Sequence, residues 1–343
     1  MLTKAAPKVL VIAPAWVGDM VMAQCLFKLL RAHCPGITID VLAPSWTLPL
    51  LERMPEVRQA ILSPFGHGQF NLMSRYSLGR QLRKQKYDQA IVLPNSFKSA
   101  LIVFWAKITL RTGWLGEWRI GVLNDVRKLH KKQLPLLIQR FLALGLPKNN
   151  NLPQNLDPFF PKLLPDQAKQ QLLLQRFNLI LDKPILAICP GAEYGPAKRW
   201  PAINFARVAK EMLNRGWQVW IFGSSKETLL AEEMMQETQN QCINLTGKTS
   251  LVEALDLLAV TQAAICNDSG LMHMAAALSL PLVVIYGSSS PNFTPPLASR
   301  VKKISLNLKC SPCFKRSCPL IHFNCMNQIT PGLVTEKLIE LLS

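Results

Sequence analysis

Asn267-Asp268-Ser269-Gly270-Leu271-Met272-His273 follows a short apolar run at 263–266 and leads into the Ala-rich residues 274–278. The segment therefore reads as a buried strand, a tight turn and a helix. Asp268 and Ser269 are candidate N-caps, and Gly270 lets backbone approach a ligand. The unpaired N–H groups of the first helical turn carry a partial positive charge, so a phosphate suits this place. His273, one turn in, either faces the same ligand or packs and caps within the helix. Taken alone, the stretch reads first as a plain helix cap and only second as an anion site.

The same design recurs on either side. Residues 184–189 are a continuous apolar run of strand length, and 218–222, 242–245 and 282–286 repeat it, with helical segments at 203–215 and 251–260. Earlier, residues 9–13 start an equivalent series, followed by a helix-periodic stretch at 20–32 and by strands at 37–43, 60–62 and 90–93. Residues 144–165, rich in Pro, Asn and Leu, read as a linker between the halves. The expectation is an α/β protein of two Rossmann-like, doubly wound domains, residues 1–160 and 161–329. A closing helix over 330–343 would begin with Thr330 as N-cap and Pro331 at its first position.

In open parallel sheets ligands bind beyond the carboxyl ends of the strands. Asp19 sits where the first strand hands over to the first helix, so it either faces such a site or caps the helix. Lys98, after the strand at 90–93, either meets an anion or is solvated. The segment RTGWLGEWRIGVLNDVR (111–127) interleaves aromatic rings with Arg111, Arg119 and Arg127, which suits nucleic acid or a phosphorylated glycan. The loop PGAEYGPAKRWP (190–201) has two glycines and Lys198 just before a helix, a combination suited to a diphosphate. Neither G-x-x-x-x-G-K-[ST] nor G-x-G-x-x-G is present, which argues against an ATPase or a dehydrogenase.

A formal charge of +18 implies an acidic partner, and a hydrophobic fraction of 49% argues against extensive disorder. No apolar run approaches the ~20 residues of a spanning helix; the longest, 100–110, contains Lys107. Lys4 and Lys8 precede an apolar stretch too short for a signal peptide, so a cytoplasmic location is expected. Cys25, Cys34, Cys189, Cys242 and Cys266 are scattered as buried free thiols would be. Within the Cys-rich segment 310–325, Cys310, Cys313, Cys318 and Cys325 have spacing C-x2-C-x4-C-x6-C with His322 inside. Four such thiolates either hold a structural Zn or, less readily, an iron–sulfur cluster, or remain reduced thiols or a disulfide.

Assembled, the motifs APAWVGDMVM (13–22), LPNSFKSAL (93–101), RTGWLGEWRIGVLNDVR (111–127), PGAEYGPAKRWP (190–201), NDSGLMHMAAAL (267–278) and YGSSSPNFTPPL (286–297) give the chain its identity. It resembles the heptosyltransferase family of inverting glycosyltransferases, which have the GT-B fold of two domains facing a central cleft. The resemblance implies transfer of a heptose from ADP-L-glycero-β-D-manno-heptose to the first heptose of the lipopolysaccharide inner core. The first domain would bind the heptosyl-Kdo2-lipid A acceptor, and the second would bind ADP-heptose. Asp19 matches the family's general base, and Lys198 the lysine that meets the donor phosphates. Asp268, Ser269, Gly270, Leu271 and His273 match the diphosphate turn, Glu227 the ribose position, and Thr249 lies near the adenosine. Trp16, Lys98 and Arg119 are the candidate acceptor contacts. No cofactor is required for catalysis on this reading, and no nucleic acid is expected. The positive charge would hold the enzyme peripherally at the anionic cytoplasmic face of the inner membrane. Three readings compete: a sibling transferase with the same donor and another acceptor, a sugar-nucleotide epimerase, and a basic nucleic-acid-binding protein.

Overall fold

The computed structural model describes residues 6–66 and 68–343; Lys4 lies outside them. The chain divides into two compact units, Met1–Pro161 and Lys162–Ser343.

The first unit holds strands β1 (Lys8–Ile12), β2 (Thr38–Pro44), β3 (Val57–Ser63), β4 (Gln89–Val92), β5 (Leu110–Trp114) and β6 (Asp125–Arg127). They form one sheet in the order β3-β2-β1-β4-β5-β6, and every pairing is parallel. Val9, Leu10 and Val11 are wholly enclosed, because a central parallel strand is covered on both faces; this is why β1 reads as an unbroken apolar run. The helix Val17–His33 packs Met20, Leu26, Phe27 and Leu30 inward and carries Arg31 and His33 in its last turn, where they complement the helix dipole.

Strands β5 and β6 lie in the segment that reads from sequence as a ligand-binding surface. Its three arginines instead brace the fold from within. Arg111 donates from Nε to the Val122 carbonyl (2.7 Å) and from a terminal nitrogen to that of Ile108 (2.7 Å). Arg127 donates to the carbonyls of Ala143 (2.6 Å) and Leu146 (2.8 Å) and pairs with Asp125 at 2.6 Å. Arg119, expected at the acceptor, is completely enclosed and donates to the carbonyls of Pro94 (2.6 Å) and Trp114 and to Asn95 Oδ1 (3.3 Å). A guanidinium so engaged holds the β4 exit loop in place, while its Nε is buried without a hydrogen-bond partner. Trp118, by contrast, is 93% exposed.

In the second unit, β7 (Ile185–Cys189), β8 (Gln218–Ile221), β9 (Ile243–Asn244), β10 (Ala263–Asn267), β11 (Leu282–Ile285) and β12 (Val301–Ile304) form a parallel sheet. Their order is β12-β11-β10-β7-β8-β9. Its core includes Trp200, stacked edge-on against Phe205 at 4.8 Å, and Val334, Leu338 and Leu341 of the helix Pro331–Leu342. Thr330 caps that helix by accepting from the Leu333 N–H at 3.3 Å.

In both sheets the strand order reverses beside the first strand, between β1 and β4 and between β7 and β10. Such switch points open a crevice at the carboxyl ends of the strands. The strand exits and helix starts there carry Asp19 and Lys98 in one unit, and Lys198 and the 267–273 turn in the other. Among the described residues no helix is long and apolar enough to cross a membrane.

Arg119→Ala is expected to lower the unfolding free energy by about 3 kcal/mol in urea titrations, since it strands buried carbonyls. A loss below about 0.5 kcal/mol, ordinary at a surface position, would contradict the bracing role.

Candidate active site

At the β7/β10 switch point, one side chain organises two loops. Asn267, the last residue of β10, is fully buried; its Oδ1 accepts from the Trp200 N–H (3.1 Å) and its Nδ2 donates to the Pro190 carbonyl (2.7 Å). It thus clamps both ends of the loop that carries Lys198. The next residue, Asp268, accepts from Lys198 Nζ at 2.6 Å, with the two side chains 4% and 18% exposed. In so dry a setting the contact fixes the lysine in place, where a free one would wander. Lys198 Nζ also lies 5.2 Å from the Tyr194 ring centre.

The helix Gly270–Ala277 starts immediately beyond. Ser269 is its N-cap residue, but its hydroxyl makes no capping bond; the Oγ is buried without a hydrogen-bond partner, as are those of Ser288 and Ser289. Buried hydroxyls in native proteins are normally satisfied, so each of these has bonding capacity left for water or a ligand. The first N–H groups of the helix lack intrahelical partners for the same geometric reason. Ser288 and Ser289 fall in the motif YGSSSPNFTPPL (286–297), which carries the resemblance without giving either of them a role.

His273 is buried in this helix, and its pKa is lowered to about 4, first by burial, against the pull of Asp268 and with the help of Lys198. It is neutral at physiological pH and offers a hydrogen bond but no charge.

Glu227 is buried beneath Gly191, where an added Cβ would come within 2.7 Å of the Glu227 Cγ. Its Oε2 accepts from the Ser224 N–H (2.9 Å) and hydroxyl (2.7 Å), closing a capping box. Thr249 is half-buried in the loop after β9, which is tied to the β8 exit by the Gly247 N–H donating to the Gly223 carbonyl (2.9 Å). Lys198, Glu227 and the 267–273 turn therefore belong to neighbouring strand exits of one sheet.

In the first unit, Asp19 is half-buried in the first turn of helix Val17–His33, whose N-cap position is held by Trp16. Trp16 is 40% exposed, and Trp46 anchors this loop by donating to the Ala15 carbonyl at 2.7 Å. Lys98 is half-buried at the start of the helix Phe97–Trp105, where Glu117 accepts from the Phe97 N–H (3.0 Å). Asp19 and Lys98 flank one switch point, and Arg119 is bonded to Pro94 and Asn95 of the loop that leads to Lys98.

Cys310, Cys313, Cys318 and Cys325 line a single small cavity of about 20 Å³ together with Ala197 and Ser288. Burial, and then the other three thiols, push the Cys325 thiol upward. The donor set and the room suit one thiophilic ion. Among the described residues, no three His, Cys, Asp or Glu side chains are already drawn together around an ion position.

Because the folded His273 titrates near 4 and an unfolded one near 6.5, the unfolded state binds the extra proton between those values. Stability should therefore fall as pH drops from about 6.5 to 4, by on the order of 3 kcal/mol from this group. His273→Gln should flatten that interval in unfolding titrations; an unchanged slope would show that His273 is not the group responsible.

Comparison with known proteins agrees with this architecture. Residues 75–323 match the model of glycosyltransferase family 9 (heptosyltransferase). Lipopolysaccharide heptosyltransferase 2 of Salmonella typhimurium is 46% identical over 98% of this chain and 99% of its own. The solved structure of Escherichia coli ADP-heptose LPS heptosyltransferase II, 44% identical, superposes with a TM-score of 0.87 over 98% of each chain. Lipopolysaccharide heptosyltransferase 1 of Pseudomonas aeruginosa matches at 30% identity over 40% of this chain and 41% of its own. Two parallel six-stranded sheets, the family match across most of the chain and near-full-length relatives at this identity lead to one conclusion: the chain belongs to glycosyltransferase family 9, the heptosyltransferases, with the GT-B fold.

Proposed function

We propose that this glycosyltransferase moves a heptose from ADP-heptose, bound by the second unit, to the first heptose of a lipopolysaccharide inner-core acceptor bound by the first. The observation that carries the reading is the Lys198–Asp268 pair beside the N-terminus of helix Gly270–Ala277, with the Ser269 hydroxyl buried and unpartnered. That arrangement gathers a fixed cation, free N–H donors and a hydroxyl around one anion-sized place. The full-length relatives named for heptose transfer, and the much shorter match to a heptosyltransferase 1, favour the acceptor that already carries one heptose.

In the transfer, Asp19 takes the proton from the acceptor hydroxyl as its oxygen attacks the anomeric carbon of the donor heptose. The bond from that carbon to the diphosphate breaks on the opposite face, so configuration inverts, and the electron pair leaves with ADP. Lys198 and the helix N-terminus then face more negative charge than in the ground state, which is where electrostatic help lowers a barrier. The neutral His273 and the Ser269 hydroxyl donate hydrogen bonds to the same group. Glu227 and Thr249 hold the nucleoside side, and Trp16 and Lys98 receive the acceptor. No catalytic cofactor enters, and the four C-terminal thiols are read as a structural zinc site.

The acceptor is anchored in lipid, and the chain's charge suits a peripheral position on an anionic membrane surface. Between Glu56 and Asp88 there is no Asp or Glu and six Lys or Arg, while Phe70, Leu72, Met73 and Tyr76 are exposed.

The test is transfer from ADP-heptose to lipid acceptors with no heptose or one heptose, presented in anionic vesicles. The expected result is transfer to the mono-heptosylated acceptor alone, slowing as salt rises. Asp19→Ala should lose about 10²–10⁴-fold in kcat with donor affinity retained, and Lys198→Ala should lose both rate and donor affinity. Preference for the unheptosylated acceptor would overturn the acceptor assignment, an undiminished Asp19→Ala the base, and salt-independent transfer the membrane surface.

A further inference from the structure

The C-terminal segment is more than a tail to the second unit, because it is strapped to the loop that carries Lys198. The Arg316 carbonyl accepts from the Ala197 N–H at 3.0 Å, one residue from Lys198. Arg316 Nε donates to the Tyr194 carbonyl (2.8 Å), and the Tyr194 hydroxyl donates to the Phe314 carbonyl (2.8 Å). Gly195 lies so close to the Arg316 carbonyl that a Cβ there would collide with backbone. From the other side, the Phe314 N–H donates to the Ser288 carbonyl (2.7 Å), and the Ser311 hydroxyl donates to that of Gly287 (2.5 Å). Residues 194–198 thus rest on residues 311–316 through paired bonds in both directions.

What holds residues 311–316 themselves is not a hydrophobic core. Phe314, Leu320 and Ile321 are 52%, 57% and 83% exposed. Phe314, Ile321 and Phe323 have φ of 55°, 63° and 49°, a left-handed backbone that side chains other than glycine avoid. Such conformations persist only where the surroundings over-determine them, and a short segment without a core of its own needs a staple. The four cysteines lie within or beside this segment and line a small cavity with Ala197 and Ser288. Cys325 is fixed in the domain core beside Met326, whereas Cys310, Cys313 and Cys318 sit on the loop. His322 lines the same cavity, but its Nδ1 is already engaged as acceptor of the Asn324 N–H at 3.0 Å. Lys309, Lys315 and Arg316 flank the thiols and offset the negative charge that a tetrathiolate centre carries.

We propose that Cys310, Cys313, Cys318 and Cys325 bind one tetrahedral thiophilic metal ion, and that this ion sets the donor loop 194–198 by fixing the strap beneath it. Binding displaces the thiol protons to solvent and draws the three loop sulfurs toward the anchored Cys325. The metal takes no part in the transfer; it is a positioning device for Lys198. The coupling to the donor rests on the reading that Lys198 meets the donor diphosphate, whereas the metal site stands on the cysteines alone.

The experiment uses the full chain, purified under reducing conditions without chelator, with ADP as the probe ligand. Elemental analysis should find about one zinc or iron per chain, and Cys318→Ser should lose most of it. In that variant tryptic cleavage after Lys198 or Arg199 should accelerate at least several-fold, and ADP should bind about ten-fold more weakly. Removing the metal from the wild-type chain with a chelator should reproduce both changes, and zinc should reverse them, which separates the effect from misfolding of the variant. A metal-free wild-type chain, or one whose four thiols are found as disulfides, overturns the site. A metal-bound chain whose loop protection and ADP affinity survive metal removal overturns the positioning role. If the wild-type chain binds metal and protects the loop but does not bind ADP, the donor assignment fails while the strap stands.

Discussion

The site in the second unit depends on two adjacent residues at the end of one strand. Asn267 closes both ends of the 190–200 loop by hydrogen bonds, and Asp268 then receives the lysine that the loop delivers. They stand at and just beyond the end of β10, the strand paired with β7, so the switch point of the sheet brings the two exits together. Without the clamp, Lys198 would be a long, mobile side chain on a glycine-containing loop. With it, the charge is held at the start of a helix whose own dipole has the same sign, which is the requirement for receiving a leaving diphosphate.

The two halves of the chain place unlike side chains on one architecture. Around the first sheet, the switch point carries a carboxylate, a lysine and exposed tryptophans. Around the second it carries a buried ion pair, a neutral histidine and unpartnered hydroxyls. The difference lies at the strand exits, in the loops and the first helical turns that follow them.

Strands β1, β2, β4, β7, β8, β10 and β11 were legible because central parallel strands are covered on both faces and show as unbroken apolar runs. Strands β5, β6 and β12 were not. β5 contains Arg111 and Gly113, β6 is three residues long, and β12 is an edge strand with two lysines, so none presents that signal. At the site, the 267–273 turn and Lys198 were visible as local chemistry. The pairing of Lys198 with Asp268 spans 70 positions and follows only from the adjacency of β7 and β10. Asn267 was legible only as a polar residue ending an apolar run, which is the kind of buried polar group that carries information. The arginines of 111–127 show the limit most plainly. A guanidinium fork that satisfies backbone carbonyls is written with the same letters as one that meets a phosphate, and only burial tells them apart.

The central claim is that the Lys198–Asp268 pair and the start of helix Gly270–Ala277 form the diphosphate site. A crystal structure of the chain with ADP tests it most directly. The account predicts the β-phosphate within hydrogen-bonding distance of Lys198 Nζ, the Ser269 hydroxyl and the N–H groups of the first helical turn. ADP lodged with its diphosphate away from Lys198, the Ser269 hydroxyl still unpartnered, would contradict it.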